Sequence, residues 1–281
     1  MSRLWRNCMQ VFLAPGRVNL VGFARGIKPM QRFRQSGTCG QANAASQWQA
    51  PLQVLEQMIG QVDDSFRRGA ELHITLSNYF VRYGVIAPQS SPANPDELMA
   101  YAGFQMREIY GEHVDNWELS LGIWDPHGGT LCAAIARDLQ SELEALAQRH
   151  ETLLVHIEPY LAAALDHWSK QLNDKQIWFV LVESGRFCLV SSLDGVWCGV
   201  RNQKVVENLQ EELLSALVQE SIMSSSGQLT EQVYVFAPEL ARPLPDVHDS
   251  RWQFVHWPDE SYPAPAHFPW IKKVDDRQNH A

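Results

Sequence analysis

Apolar residues in this chain recur mostly in short alternating or continuous runs broken by turn residues, which is the spacing of strands. Residues 178–202 read WFVLVESGRFCLVSSLDGVWCGVRN. Three apolar runs are separated by Ser184-Gly185-Arg186 and by Asp194-Gly195, the pattern of a three-stranded antiparallel meander. A matching hairpin is predicted over 9–14 and 18–23, joined by Pro15-Gly16-Arg17, with a third strand near 28–33. Residues 35–49 are small and polar and are expected to form a long mobile loop.

Helical spacing alternates with these strands. Pro51 opens a helix that carries Leu52, Leu55, Met58 and Ile59 on one face. Asp63-Asp64 and Arg67-Arg68 come after it and have the look of a solvated face. Strands are predicted over 71–77 and 79–88. Asn94-Pro95-Asp96-Glu97 then starts a helix with a cap, a proline and two acids that suit the positive end of the helix dipole. The run 117–124 alternates with Trp117, Leu119, Leu121 and Ile123 on one face, and 130–136 is its returning strand after the turn 125–129. A helix over about 138–148 and a strand at 152–157 come next. Glu158-Pro159 opens a helix with Leu161, Leu165, Trp168 and Leu172 in one stripe. Beyond the meander, a helix is expected from about 205 to 222 and a strand at 232–238. After Pro238 the composition turns to proline and aromatics, which rules out a long helix. Two readings stay open there: an extended tail packed over the domain with one strand at WQFVHW, or a partner-binding arm.

Composition adds exclusions. The 281 residues are 45% hydrophobic and 20% charged, fitting a globular chain with a sizeable core. Net charge is −9 and the arginines are scattered without a basic run, so no nucleic-acid partner is expected. The five cysteines are odd in number, widely spaced and lack C-x-x-C, which points to a reducing compartment, no disulfide framework and no zinc site. No apolar run approaches ~18 residues, so no membrane span of its own is expected. No G-x-S-x-G, H-E-x-x-H, P-loop or GxGxxG occurs, so no catalytic residue is singled out. His150 and His156 flank a strand, and a metal pair there is disfavoured; no metal-ligating residue is expected.

Laid without gaps over the meander, GRVNLVGFARG (16–26) falls on GRFCLVSSLDG (185–195). The shared pattern G-R-x-x-L-V-x-x-x-x-G recurs at a spacing of 169 residues between Gly16 and Gly185. A repeat of this size means two copies of one β-β-β-α-β unit. Between them lies a block, about 79–149, that reads β-α-β-β-α. Two related domains, each opening with such a meander, resemble the actin-like ATPase superfamily. The inserted block, and LLVHIEPYLAAALDHW (153–168) as a crossover into the second half, resemble the pilus-assembly actin-like protein and the cytoplasmic domain of type II secretion protein L. His156 stands where that pattern usually has an acid.

The resemblance implies an α/β fold of two ribonuclease H-like (actin-like) domains, with a small β-α-β-β-α subdomain inserted in the first. The first domain would span 1–157 with its insertion at about 79–149, the second 158–238, and a Pro/aromatic-rich segment 239–281. In ATP-binding members each hairpin turn resembles D-x-G: the glycine lets backbone N–H groups converge on phosphate and the acid orients Mg²⁺. Here the first turn is Ala14-Pro15-Gly16, without the acid and with one amide donor removed by Pro15. The second is Glu183-Ser184-Gly185, which keeps a carboxylate. The adenine-side Gly-Gly pair is replaced by YVFAPEL (234–240). Gly16, Arg17, Glu183, Gly185 and Arg186 are therefore expected as vestigial phosphate turns. No cofactor is expected, ATP with Mg²⁺ being the alternative. The function implied by the resemblance is that of a non-catalytic cytoplasmic scaffold in a type IV pilus or type II secretion-like assembly, peripheral at the inner membrane. Its partner would be the cytoplasmic tail of an inner-membrane subunit, or a motor ATPase. The competing readings are an active actin-like ATPase and a free-standing enzyme on another α+β fold.

Overall fold

A tight hairpin opens the chain: β1 (Cys8–Ala14) turns back as β2 (Arg17–Ala24), with Ala14 opposite Arg17. The computed structural model describes residues 6–26, 30–40, 48–89, 94–172, 176–223, 231–240, 243–244, 251–257 and 268–269. β3 (Met30–Thr38) adds to β2, running further than expected and taking up 35–38 of the predicted loop. Those four residues pair because β2 still offers partners, Thr38 lying opposite Arg17. Residues 41–47 of that loop lie outside the described residues. α1 (Gln49–Gly60) buries Pro51, Leu52, Leu55, Met58 and Ile59 and packs against β1, β2 and β3. The short helix α2 (Asp64–Arg67) is capped by Asp63, whose carboxylate accepts from the Ser65 amide at 2.9 Å. β4 (Glu71–Leu76) then runs parallel to β1.

The block after β4 contains β5 (Val81–Ile86), α3 (Pro95–Tyr110), β6 (Trp117–Leu121), β7 (Thr130–Ala136) and α4 (Arg137–Arg149). β5, β7 and β6 form a three-stranded sheet in that order. Its core joins Ile86, Cys132 and Ala134 to Ala102 and Met106 of α3. α3 begins as predicted: Asn94 accepts from the Glu97 amide at 2.9 Å and Pro95 sits in the first turn. Ile123 departs from its predicted face: β6 ends at Leu121, and Ile123 is 96% exposed in the following loop.

β8 (Leu153–Pro159) returns beside β4, and the first large sheet has the order β3-β2-β1-β4-β8. α5 (Tyr160–Trp168) comes next. It buries Tyr160, Leu161, Ala163, Ala164 and Trp168, whereas Leu165 is only half-buried and Leu172 is buried beyond the helix end.

β9 (Gln176–Glu183), β10 (Arg186–Leu193) and β11 (Val196–Lys204) form the second meander. Glu183 lies opposite Arg186, and Asp194-Gly195 closes the second hairpin with both residues at positive φ (49° and 82°), the primed turn that suits strand twist. α6 (Leu209–Met223) starts four residues later than predicted. Asn208 explains the shift: its side chain accepts from the Gln210 amide at 2.9 Å as a cap, while Glu212 holds the Val206 and Glu207 amides outside the helix. β12 (Glu231–Phe236) runs parallel to β9, and β13 (Trp252–Trp257) parallel to β12. The second large sheet has the order β11-β10-β9-β12-β13. The WQFVHW strand is thus the outer strand of a sheet, with Trp252 and Trp257 buried.

Both large sheets share one connectivity: a meander, a helix, a parallel strand beside the first strand, and a further parallel strand outside it. In each, the amide just after the third meander strand closes onto the turn glycine. Cys39 donates to the Gly16 carbonyl and Val205 to the Gly185 carbonyl, each at 2.9 Å. The repeat inferred from G-R-x-x-L-V is therefore a repeat of structure. The described residues belong to two compact units, one drawn from Met1–Val81, Ile135–Ala163 and His267–Trp270, the other from Arg82–Ala134, Ala164–Ala266 and Ile271–Ala281. In the second unit, Trp178, Val180, Val182, Phe187 and Leu189 pack on Leu213, Ala216 and Leu217 of α6. Each of the valine, leucine and phenylalanine side chains contributes about 1.5–3 kcal/mol of burial.

Candidate functional site

The two hairpin turns occupy equivalent places, so their chemistry can be compared atom by atom. In the first turn Pro15 has no N–H and Ala14 no carboxylate. Gly16 is absent from the left-handed glycines of the described chain, while its counterpart Gly185 has φ 74°. The first turn thus uses its glycine without the conformation that only glycine adopts readily. Arg17 lies back over the sheet, its guanidinium carbon 5.3 Å from the Phe12 ring centroid, a cation–π contact.

In the second turn Glu183 is buried, 5% exposed, at the end of β9. Arg186 reaches sideways to β11, its Nη1 donating to Asn202 Oδ1 at 2.6 Å and to the Asn202 carbonyl at 3.3 Å. The Ser184 amide, one of the two N–H groups that face outward from such a turn, donates to Glu239 Oε2 at 3.2 Å. Topology delivers this carboxylate. β12 lies parallel to β9 with Phe236 opposite Leu181, so the two strands end side by side. Beyond Phe236 the chain bends, Leu240 N donating to the Ala237 carbonyl at 3.2 Å, and Glu239 arrives at the turn. The segment that stands where the resemblance expects a Gly-Gly pair therefore brings a carboxyl side chain to the amide of the second hairpin turn.

Cys188, in β10, is completely buried; burial, and then the Glu183 charge, push its thiol well above the usual range, so it is no nucleophile. Among the described residues no group of three or more His, Cys, Asp or Glu side chains is arranged to hold a metal ion.

The remaining candidates resolve into structural roles. Asp125 accepts from the His127 amide at 2.9 Å, an ordinary Asx turn, and the Gly128 carbonyl accepts from Trp197 N at 3.1 Å. His150 faces Arg67, with Nδ1 3.2 Å from Nη1, and not His156. His156 instead meets His73 of β4 edge-on, ring centroids 4.7 Å apart. A bulge causes this meeting: Leu72 pairs with Leu154 and His73 with His156, so Val155 is the extra residue. Sequence reasoning missed Glu239 and His73. An acid three residues past a strand end, where the resemblance expects glycine, was the available signal for Glu239; a bulge in a parallel pair leaves none for His73.

The fold and the paired turns define the class: this chain has the fold of the actin-like ATPases. Among solved structures it is similar to the cytoplasmic domain of EpsL, an inner membrane component of the type II secretion system of Vibrio cholerae, with 9% identity, a TM-score of 0.54 and 89% of each chain covered. It is similar to a chain of the PilM–PilN type IV pilus biogenesis complex, with 15% identity, a TM-score of 0.57 and 84% and 82% of the two chains covered. A Bacteroides thetaiotaomicron protein with an actin-like ATPase fold and unknown function matches at 8% identity, TM-score 0.53 and 84% of each chain. No family model matches the sequence, and no curated protein matches it. At these identities the likeness is one of fold.

Proposed function

We propose that this protein is a non-catalytic scaffold of a type IV pilus or type II secretion-like assembly, acting on the cytoplasmic side of the inner membrane. Its partners in this reading are the cytoplasmic tail of a membrane subunit or a motor ATPase. The observation that carries the reading is the Ser184 amide donating to Glu239, together with a first turn that has neither the acid nor the second amide donor. A site for Mg-ATP needs amides turned to phosphate and hard oxygen ligands for the metal. Here one turn has lost an amide donor to Pro15, and in the other the Ser184 amide donates to the protein itself. The fold likeness to the EpsL domain and to the PilM–PilN complex supports the choice of assembly. No helix among the described residues is long and apolar enough to cross a membrane.

The second reading, an ATP-binding member of the superfamily, draws on Glu183 and left-handed Gly185, which keep one acid and one glycine turn. Capture of partners by the tagged full chain from a membrane extract separates the two readings. Recovery of pilus or secretion subunits, unchanged by added Mg-ATP, supports the scaffold. Recovery of none, together with ATP turnover, reverses the order.

A further inference from the structure

Acidic and basic residues are unevenly distributed along the chain. The first 55 residues hold seven Lys and Arg and not one Asp or Glu, in a chain whose totals are 23 basic and 32 acidic. All 32 acids therefore lie after residue 55, against 16 basic residues. Of the described basic residues in that first stretch, Arg17, Arg32 and Arg34 lie on the first meander and Arg25 directly follows β2, the kind of charge asymmetry that marks a contact surface on an otherwise acidic chain.

The charge lies at an open strand edge. β3 is the outermost strand of its sheet and pairs with β2 on one side only; among the described residues no strand lies along its other edge. Arg32, Arg34, Ser36 and Thr38 are exposed. From Arg34 to Thr38 the register is unbroken, Arg34 opposite Val21 and Thr38 opposite Arg17, so this stretch is straight enough to accept another strand. Arg32 is the extra residue of a bulge, since Gly22 pairs with Phe33 and Phe23 with Gln31. The ladder resumes with Phe23 opposite Gln31 and Ala24 opposite Met30, so the bulge leaves Arg32 alone out of it; Arg25, one residue past Ala24, is also exposed.

We propose that the outer edge of β3 is a docking strand for an acidic, extended segment of a partner protein, which adds alongside Arg34–Thr38 with its carboxylates toward Arg32 and Arg34. Strand addition supplies backbone hydrogen bonds, and side-chain charge supplies the choice of partner. A second copy of this chain is a poor occupant, because it would set arginine against arginine. An anionic bilayer would meet the same charges but makes no use of an open strand edge. The inference rests on the protein-binding reading above and deepens it by naming the partner's chemistry.

The test is fluorescence anisotropy with the full chain and a fluorescein-labelled peptide of about ten residues alternating Glu with Val and Thr. Saturable binding is expected, with none to the Lys counterpart and weakening from about 50 to about 200 mM salt. The R32E/R34E double variant should bind roughly tenfold more weakly or worse. The milder R32Q/R34Q pair, expected between the two, keeps the test valid should charge reversal disturb β3. A peptide methylated on its central backbone nitrogens keeps its charge but cannot pair, and should bind at least about tenfold more weakly. Vesicles of phosphatidylglycerol and phosphatidylcholine form the second arm. The proposal is overturned if the acidic peptide does not bind, if the methylated peptide binds equally well, or if only the vesicles are bound. Nucleotide binding is measured separately, so failure here leaves the scaffold reading to its own test.

Discussion

Trp257 is where the C-terminal strand can be shown to belong to the fold. It is 3% exposed at the end of β13. Its ring stacks on Trp168 of α5 at 4.5 Å between centroids and 20° between planes, and Tyr234 of β12 lies 4.9 Å away at 24°. Replacing Trp257 with alanine empties this stack. Removal of a large buried aromatic costs about 3–5 kcal/mol, of which each lost ring pair accounts for about 0.5–1.5 kcal/mol. Set against a usual stability of about 5–15 kcal/mol, that is a large fraction. Urea unfolding followed by circular dichroism measures it, with Val206→Ala as the control. Val206 is 79% exposed, and its truncation should stay within about 0.5 kcal/mol of wild type. Trp257→Phe should recover much of the loss. If Trp257→Ala costs less than about 1 kcal/mol, β13 is not packed in the sheet, and the region after Pro238 is better described as an arm.

Single positions give further outcomes. Gly129 has φ 72°, and a Cβ there would stand 2.3 Å from the Ile86 carbonyl oxygen, so Gly129→Ala should destabilise by about 2–4 kcal/mol in thermal unfolding. By contrast, a Cβ at Gly103 in α3 meets nothing closer than 3.9 Å, and Gly103→Ala should stabilise by about 0.5–1 kcal/mol. Burial, and then the Arg67 charge, hold His150 below its usual value of 6.5. The folded state therefore binds this proton less readily than the unfolded one. Its contribution to stability is complete above 6.5 and is lost as pH falls toward the lower folded value; unfolding midpoints across that range should flatten in His150→Gln. Glu239→Ala should speed hydrogen exchange at the Ser184 amide while leaving Val190, in the middle of β10, unchanged; equal exchange in both proteins would mean that the 3.2 Å contact is not held in solution.

The fold was legible because it is repeated. G-R-x-x-L-V marks a turn glycine followed by a strand whose Leu20 and Val21, or Leu189 and Val190, are all buried, so one pattern recorded turn, direction and core face twice. Helix ends were less legible where a side chain decides them. Leu209 begins α6 because Asn208 caps the Gln210 amide while Glu212 holds the Val206 and Glu207 amides before the helix, and apolar spacing from Val205 onward does not register that competition. β3 runs on to Thr38 because β2 offers partners, although Ser36, Gly37 and Thr38 have the composition of a loop. At the turns, the lost acid and the added proline could be read directly from Ala14 and Pro15. Glu239 could not, because its role depends on β12 lying next to β9, a neighbour relation between strands more than 40 residues apart. His156 is of the same kind: only the bulge at Val155 decides that it meets His73.

Calorimetric titration of the full chain with Mg-ATP, joined to a phosphate-release assay on the same preparation, bears most directly on the two turns. With Pro15 in one turn and the Ser184 amide donating to Glu239 in the other, the expected result is no saturable heat and no phosphate above the protein-free blank. Saturable binding in the micromolar range, with phosphate released in step with protein concentration, would contradict it and make the protein an active member of the actin-like ATPases.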